Sequence, residues 1–347
     1  MSRVGLIVNP AAGRDVRRLT GGATVVDNYA KRRVAECVLD GLTATSDPPA
    51  VRLMPDRSGI ADHAVAESPG AVDASVLEMP VEKSAADTRR AAARFREDGL
   101  AAVVVLGGDG TTRDVASEIG EVPVIAVSTG TNNVVPTAVD GTLAGVAAAL
   151  IATAAVPAAD VTTRHGMVEA RVEAGTGERT LSALASAEVS SRSFVGTRAL
   201  LDPTDLRGGV VSRAHPGDVG LAAVAGAFER VAPTDPGGVV LRLADPAEAP
   251  RSVRAVLAPG VTATVGIESV DRLDWDETAR FDVPDGVVGA DGERELELTD
   301  ATVALTPVPE GPRLVDVDAT LSAGADAGAL VAEGTEPAST IEDYSSD

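Results

Sequence analysis

At 347 residues the chain is long enough for two domains, each burying its own core, and 44% hydrophobic residues fit a folded body. Acidic residues outnumber basic ones 52 to 30, giving a net charge of -22, and Lys31 and Lys83 are the only lysines. That balance excludes nucleic acid or an anionic membrane as the main partner, since both need a basic face, and it suits a halophile's cytoplasm, where salt screens the self-repulsion.

The first apolar run, Val4 to Val8, reads as a buried strand ended by Asn9-Pro10 and a turn at Gly13, too short for a signal peptide. Lys31 to Leu42 reads as a helix. It carries Cys37, the sole cysteine, so no internal disulfide is possible and a cytoplasmic, soluble protein is expected. Val51 to Met54 and Ala71 to Met79 are predicted strands. Ser84 and Asp87 spell a capping box for a helix whose Ala85, Thr88, Ala92 and Phe95 share one face. Gly99 ends that helix. Ala102 to Leu106 is a continuous apolar strand, followed by a glycine loop, a helix to about Ile119 and a strand from Val122 to Val127. The repeated β-α-β order predicts an open parallel sheet with helices on both faces. Ala144 to Val156 is the most apolar stretch and is too short to span a bilayer.

After Pro157 the rhythm changes to short β-like runs at 166–173, 239–243, 261–267, 293–298 and 301–305, with one helical interruption at 221–228. The expected division is an α/β domain over 1–158, a β-rich domain over 159–318, and an acidic tail over 319–347, mostly disordered from about Ser322.

The strongest motif is Gly107-Gly108-Asp109-Gly110-Thr111-Thr112, between a buried strand and a helix. Ligands in open α/β sheets bind beyond the carboxyl ends of strands. Paired glycines let backbone amides approach phosphate oxygens, and Thr111 and Thr112 add hydroxyls at the helix's positive end. Asp109 can hold Mg²⁺ or accept a proton from an attacking hydroxyl, both of which belong to phosphoryl transfer. The alternative is a tight turn in which Asp109 caps the helix. Ser128-Thr129-Gly130-Thr131-Asn132-Asn133 follows the next strand and can form the opposite wall of the same cleft, although such residues also dominate ordinary turns. Asn9 to Gly13 offers a further wall or a simple turn. His63, His165 and His215 have no metal-site spacing. Arg192 and Arg198 flank Phe194 to Thr197; one of them can face phosphate, or both can pair on the surface. Trp275 reads as local packing.

These motifs together, NPAAG at 9–13, GGDGT at 107–111 and GTNN at 130–133 with a later β-rich half, resemble the NAD kinase and diacylglycerol kinase-like superfamily. GLIVNPAAG, GTNNVVPTAVDGTLAG and FVGTRAL are most similar to its ATP-NAD/AcoX kinase branch. The resemblance implies an active site in an interdomain cleft. Asn9, Gly107, Gly108, Gly110, Thr111, Thr129, Thr131, Asn132 and Asn133 would line the nucleotide. Asp109 would be the catalytic base or Mg²⁺ organiser, and Asp291-Gly292-Glu293, alone readable as a hairpin turn, would return toward the cleft. It further implies a homo-oligomer using ATP, or polyphosphate, to phosphorylate a hydroxyl such as the ribose 2'-hydroxyl of NAD. In NAD kinases an Asn-acid pair contacts a ribose; here Glu188 matches the acid, while Ala187 stands where the Asn is expected. Another small alcohol as acceptor, or a non-catalytic nucleotide-binding regulator, are the competing readings.

Overall fold

The computed structural model describes residues 2–13, 26–130, 133–175, 177–191 and 203–331. In the first half β1 (Arg3–Val8), β2 (Ala50–Leu53), β3 (Ala74–Val76), β4 (Ala102–Gly107) and β5 (Val124–Ser128) pair in parallel in the order β3-β2-β1-β4-β5. The helices are α1 (Asn28–Gly41), α2 (Ile60–Ala66), α3 (Ala85–Glu97), α4 (Asp109–Ile119), α5 (Gly141–Ala152) and the short α6 (Ala158–Val161).

The strands are apolar throughout because both faces are covered. Val4, Leu6, Val104, Leu106 and Ile125 face a core closed by Val38 and Leu39 of α1, Ile60 of α2 and Ala144 and Ala148 of α5. The alternate residues Ile7, Val103, Val105 and Val124 face Ala92 and Phe95 of α3 and Val115 and Ile119 of α4. Ser84 opens α3 with the expected capping box, its backbone amide donating to Asp87. The buried face of α3 is Thr88, Ala91, Ala92 and Phe95, while Ala85 is exposed.

The second half is one antiparallel sheet. After β6 (Thr162–Arg164) come β7 (Met167–Ala174), β8 (Gly177–Ala183), β9 (Ser186–Ser190), β10 (Leu206–Val211), β11 (Gly238–Ala244), β12 (Arg251–Ala258), β13 (Val261–Leu273), β14 (Ala279–Ala290) and β15 (Glu293–Val308). Among the described residues β7 to β15 pair in the order β12-β13-β11-β10-β9-β14-β15-β7-β8, and α7 (Leu221–Gly226) packs on this sheet. The runs at 293–298 and 301–305 are one strand, β15, rather than two. Asp300, at φ 46°, falls opposite Pro284, which has no amide to donate, and the ladder keeps its register from Asp285–Thr299 to Val283–Ala301 across that pair.

The chain then returns. β16 (Arg313–Val315) pairs with β5 in parallel and with β6 in antiparallel fashion, so β6 and β16 belong to the first sheet. α8 (Val317–Asp326) follows, and its second half, from Ser322, runs into the stretch expected to be disordered. Asp316 caps it by accepting from the Ala319 amide, and Thr320 is fully buried. Gly324 sits against Leu150 of α5, where a Cβ would lie 2.5 Å from Leu150 Cδ1. Gly324, which looks like part of a flexible tail by composition, is the small residue at this close contact. Residues 332–347 lie outside the described residues.

Small residues also set the α1–α5 crossing. A Cβ on Gly145 would meet the Val38 carbonyl at 2.2 Å and Gly41 Cα at 2.9 Å. Gly145→Ala should therefore lower unfolding free energy by about 1–3 kcal/mol in urea titration. Gly70→Ala, where a Cβ meets nothing within 4 Å, should stay within about 0.5 kcal/mol of the parent.

Candidate functional site

Neighbouring parallel strands β1, β4 and β5 deliver their carboxyl-terminal loops to one edge of the first sheet. Side chains and amides then tie the loops together. Asn9 Nδ2 donates to Thr111 Oγ1 at 2.8 Å, while its Oδ1 accepts from the Ala11 amide and shapes the first loop. The Thr129 amide donates to the Gly107 carbonyl at 2.8 Å. The Asp109 carboxylate accepts from the amides of Val134 at 2.7 Å and Val135 at 2.9 Å. Asn133 Nδ2 donates to Ser128 Oγ, and a Cβ on either Gly108 or Gly130 would lie 2.8 Å from Asn133 Oδ1. Those two glycines are needed so that Asn133 can fit between the loops.

The edge is suited to an anion. α4 has Gly108 as its N-cap and no side-chain cap, which leaves the positive end of the helix facing the loops. Among the described residues a Cβ on Gly110, in the first turn of α4, would meet nothing within 4 Å. Among the described residues the buried Thr129 hydroxyl has no hydrogen-bond partner.

The structure thus brings Asn9, Gly107, Gly108, Asp109, Gly110, Thr111, Thr129 and Asn133 to one place. Thr131, Asn132, Arg192, Arg198 and the FVGTRAL stretch lie outside the described residues. One expectation is corrected: Thr112 is fully buried and its hydroxyl donates to the Gly108 carbonyl, so it offers nothing to a ligand. The Asp109 carboxylate reaches the loop after β5.

The residues expected on the acceptor side, Glu188, Asp291 and Glu293, lie on the second sheet or its β14–β15 turn, and Asp291 meets Arg113 of α4. Asp291, at φ 55°, starts the turn between β14 and β15, and its carboxylate accepts from the amides of Leu184, Ala185 and Ser186. Glu188 Oε1 accepts from the Gly292 amide at 2.7 Å, and Ser186 Oγ donates to Glu188 Oε2. Glu293, the first residue of β15, pairs across with Ala290. Ala187 points the opposite way from Glu188, into the apolar core with Val189, Val210 and Val288. Strand alternation aims that position at the core, where an Asn would be buried among apolar side chains.

Two residues carry the site without a motif to announce them. Lys31, fully buried, donates to the Pro10 and Ala12 carbonyls and fixes the first loop. Arg113, one turn after Asp109, donates to the Ala290 carbonyl and to the carboxylates of Asp291 and Glu295. Burial disfavours its charge, but Asp291 and Glu295 outweigh that and hold it firmly cationic. The available signals were that Lys31 is one of two lysines and that Arg113 shares a helix face with Asp109 at i,i+4 spacing.

A parallel α/β domain with converging strand-end loops, followed by an antiparallel domain that reaches back to α4, defines the NAD kinase-like class of fold. The ATP-NAD kinase N-terminal domain family matches residues 4–154, and the acetoin catabolism protein X C-terminal domain family matches residues 167–310. Acetoin catabolism protein X of Cupriavidus necator is 36% identical over 325 residues, covering 91% of this chain and 90% of that protein. Yeast NADH kinase complexed with NADH superposes with a TM-score of 0.55 at 13% identity, over 94% of this chain and 86% of that one. The chain belongs to the ATP-NAD/AcoX kinase family, alongside acetoin catabolism protein X. No helix among the described residues is long and apolar enough to cross a membrane.

Burial, reinforced by the neighbouring Asp291, pushes Glu188 up to about 8 from 4.5. Between those values the native state keeps a proton that the unfolded chain has lost, so stability falls as pH rises through that window. His165, which burial lowers to about 4 from 6.5, works in the opposite sense, raising stability between about 4 and 6.5. From 6.5 to about 8 only Glu188 of this pair titrates. Thermal midpoints should fall across that interval, and Glu188→Gln, which mimics the neutral acid, should flatten the fall. An unchanged slope would show that Glu188 is already ionised there.

Proposed function

We propose that the protein is a phosphotransferase that binds ATP at the converging loops of the first domain and phosphorylates an alcohol presented by the second. The observation that carries this reading is the N-terminus of α4 without a side-chain cap, with room at Gly110 and a Thr129 hydroxyl that has no partner among the described residues. Three hydrogen-bonded loops hold these donors in a fixed array, so phosphate binding needs little reorganisation. Asp109 is the group we assign to the acceptor side of the reaction. Anchored by two amides, its carboxylate is a rigid anion, able to orient a hydroxyl and take its proton.

Mg²⁺ accompanying ATP would neutralise charge on the transferring phosphates. Among the described residues no group of three or more His, Cys, Asp or Glu could hold a metal alone. The fit is therefore to a cation carried mainly by nucleotide phosphates and water, with Asp109 as the loop residue that would touch it.

NAD is the acceptor favoured by family membership and by the NADH kinase fold. The reading is a cytoplasmic, homo-oligomeric enzyme supplying NADP. One observation supports a smaller acceptor instead: the second domain matches the family of a protein named for acetoin catabolism. A hydroxy-ketone or small polyol is accordingly the second reading. A non-catalytic nucleotide-binding regulator is the third reading, supported by Ala187 standing where the family Asn is expected.

Purified protein incubated with γ-labelled ATP, Mg²⁺ and either NAD or a panel of small polyols and hydroxy-ketones should transfer label to one of them. Asp109→Asn should lower that transfer by about a hundredfold or more, since Asn cannot accept from both amides or take up a proton. Label transfer to none of the acceptors would refute the phosphotransferase reading. Undiminished turnover in Asp109→Asn would refute the role assigned to that carboxylate.

A further inference from the structure

We propose that Arg113 is a positioning residue, a latch that holds the phosphate-loop helix α4 against the β14–β15 turn and so fixes the acceptor wall relative to the donor loops. The catalytic part of this proposal rests on the phosphotransferase reading; the latch itself rests on geometry. The Arg113 side chain is 11% exposed and reaches from the first domain to the second, taking Glu295 at 2.7 Å, Asp291 at 3.4 Å and the Ala290 carbonyl at 3.3 Å.

Asp291 passes the constraint on. Its carboxylate gathers the Leu184, Ala185 and Ser186 amides, and Leu184 and Ala185 pack with Val135 in one small core. The Val134 and Val135 amides donate to Asp109, which brings the circuit back to α4. Asp109 and Arg113 thus grip, from one helix face, the two ends of a single connected structure. The other charges facing Arg113 are Asp114 of α4, itself paired with Arg89 of α3, and Glu188 of β9. A cation is required here because Asp291 and Glu295 converge on a largely buried point. Arginine suits it because one planar fork serves three acceptors, where lysine offers a single point charge.

Arg113→Met keeps the aliphatic stem and removes the charge; Arg113→Lys keeps the charge and removes the fork. In the full-length protein, hydrogen exchange at 184–186 and 290–295 should quicken about tenfold or more in the Met variant, with β1 and β4 unchanged and Lys intermediate. ADP affinity by calorimetry should stay within about threefold, while KM for the accepted alcohol rises about tenfold and kcat moves less. Should the Met variant not fold, Glu295→Gln removes one end of the latch and should quicken exchange at 290–295.

Unchanged exchange at 184–186 in the folded Met variant would overturn the latch whether or not any acceptor is turned over. So would a Lys variant no better than Met, or an ADP affinity lost in parallel with acceptor KM. Wild-type protein that binds no ADP would count against the nucleotide reading alone, and the exchange data would still decide the latch.

Discussion

Helix α4 bears two opposite charges four residues apart, and neither is left to solvent. Asp109 holds the loop that follows β5, and Arg113 holds the turn between β14 and β15. Removing either would leave buried partners unsatisfied, amides in the first case and carboxylates in the second. Losses of that kind generally exceed the net worth of the bond itself. The helix that opens the candidate phosphate site is thereby also the piece around which both domains are registered.

That arrangement joins two unlike surfaces. The loop edge, our proposed donor side, is built from three adjacent parallel strands, with Asn133 packed between Gly108 and Gly130. The surface proposed to meet the acceptor holds two buried acids, Glu188 and Asp291, whose oxygens are taken up by backbone amides and a serine. The family comparisons divide along the same line, with an ATP-NAD kinase match over the first domain and an acetoin catabolism protein X match over the second.

Much of this was legible in the sequence. The parallel sheet followed from continuous apolar runs at 4–8 and 102–106, and the donor loops from glycines placed at strand ends. Long-range pairings were not legible. Nothing local marks β16 as a strand that returns to β5, and composition made α8 look like a tail because small residues serve a tight helix contact as well as a flexible chain. The fate of Ala187 depended on which face of β9 it occupied, which β-strand register decides and a motif alignment does not. Arg113 was hidden for a related reason: in a chain whose cations are nearly all arginine, one buried arginine looks like any other until its carboxylate partners, nearly two hundred positions away, are folded onto it.

The central claim is that the α4 N-terminus and the loop after β5 receive the phosphates of a nucleotide. A crystal structure with a non-hydrolysable ATP analogue and Mg²⁺ tests it most directly. The expected result places phosphate oxygens within about 3.2 Å of the Gly110 or Thr111 amide and of the Thr129 hydroxyl. A nucleotide seated elsewhere, with the Thr129 hydroxyl still unpartnered, would contradict it.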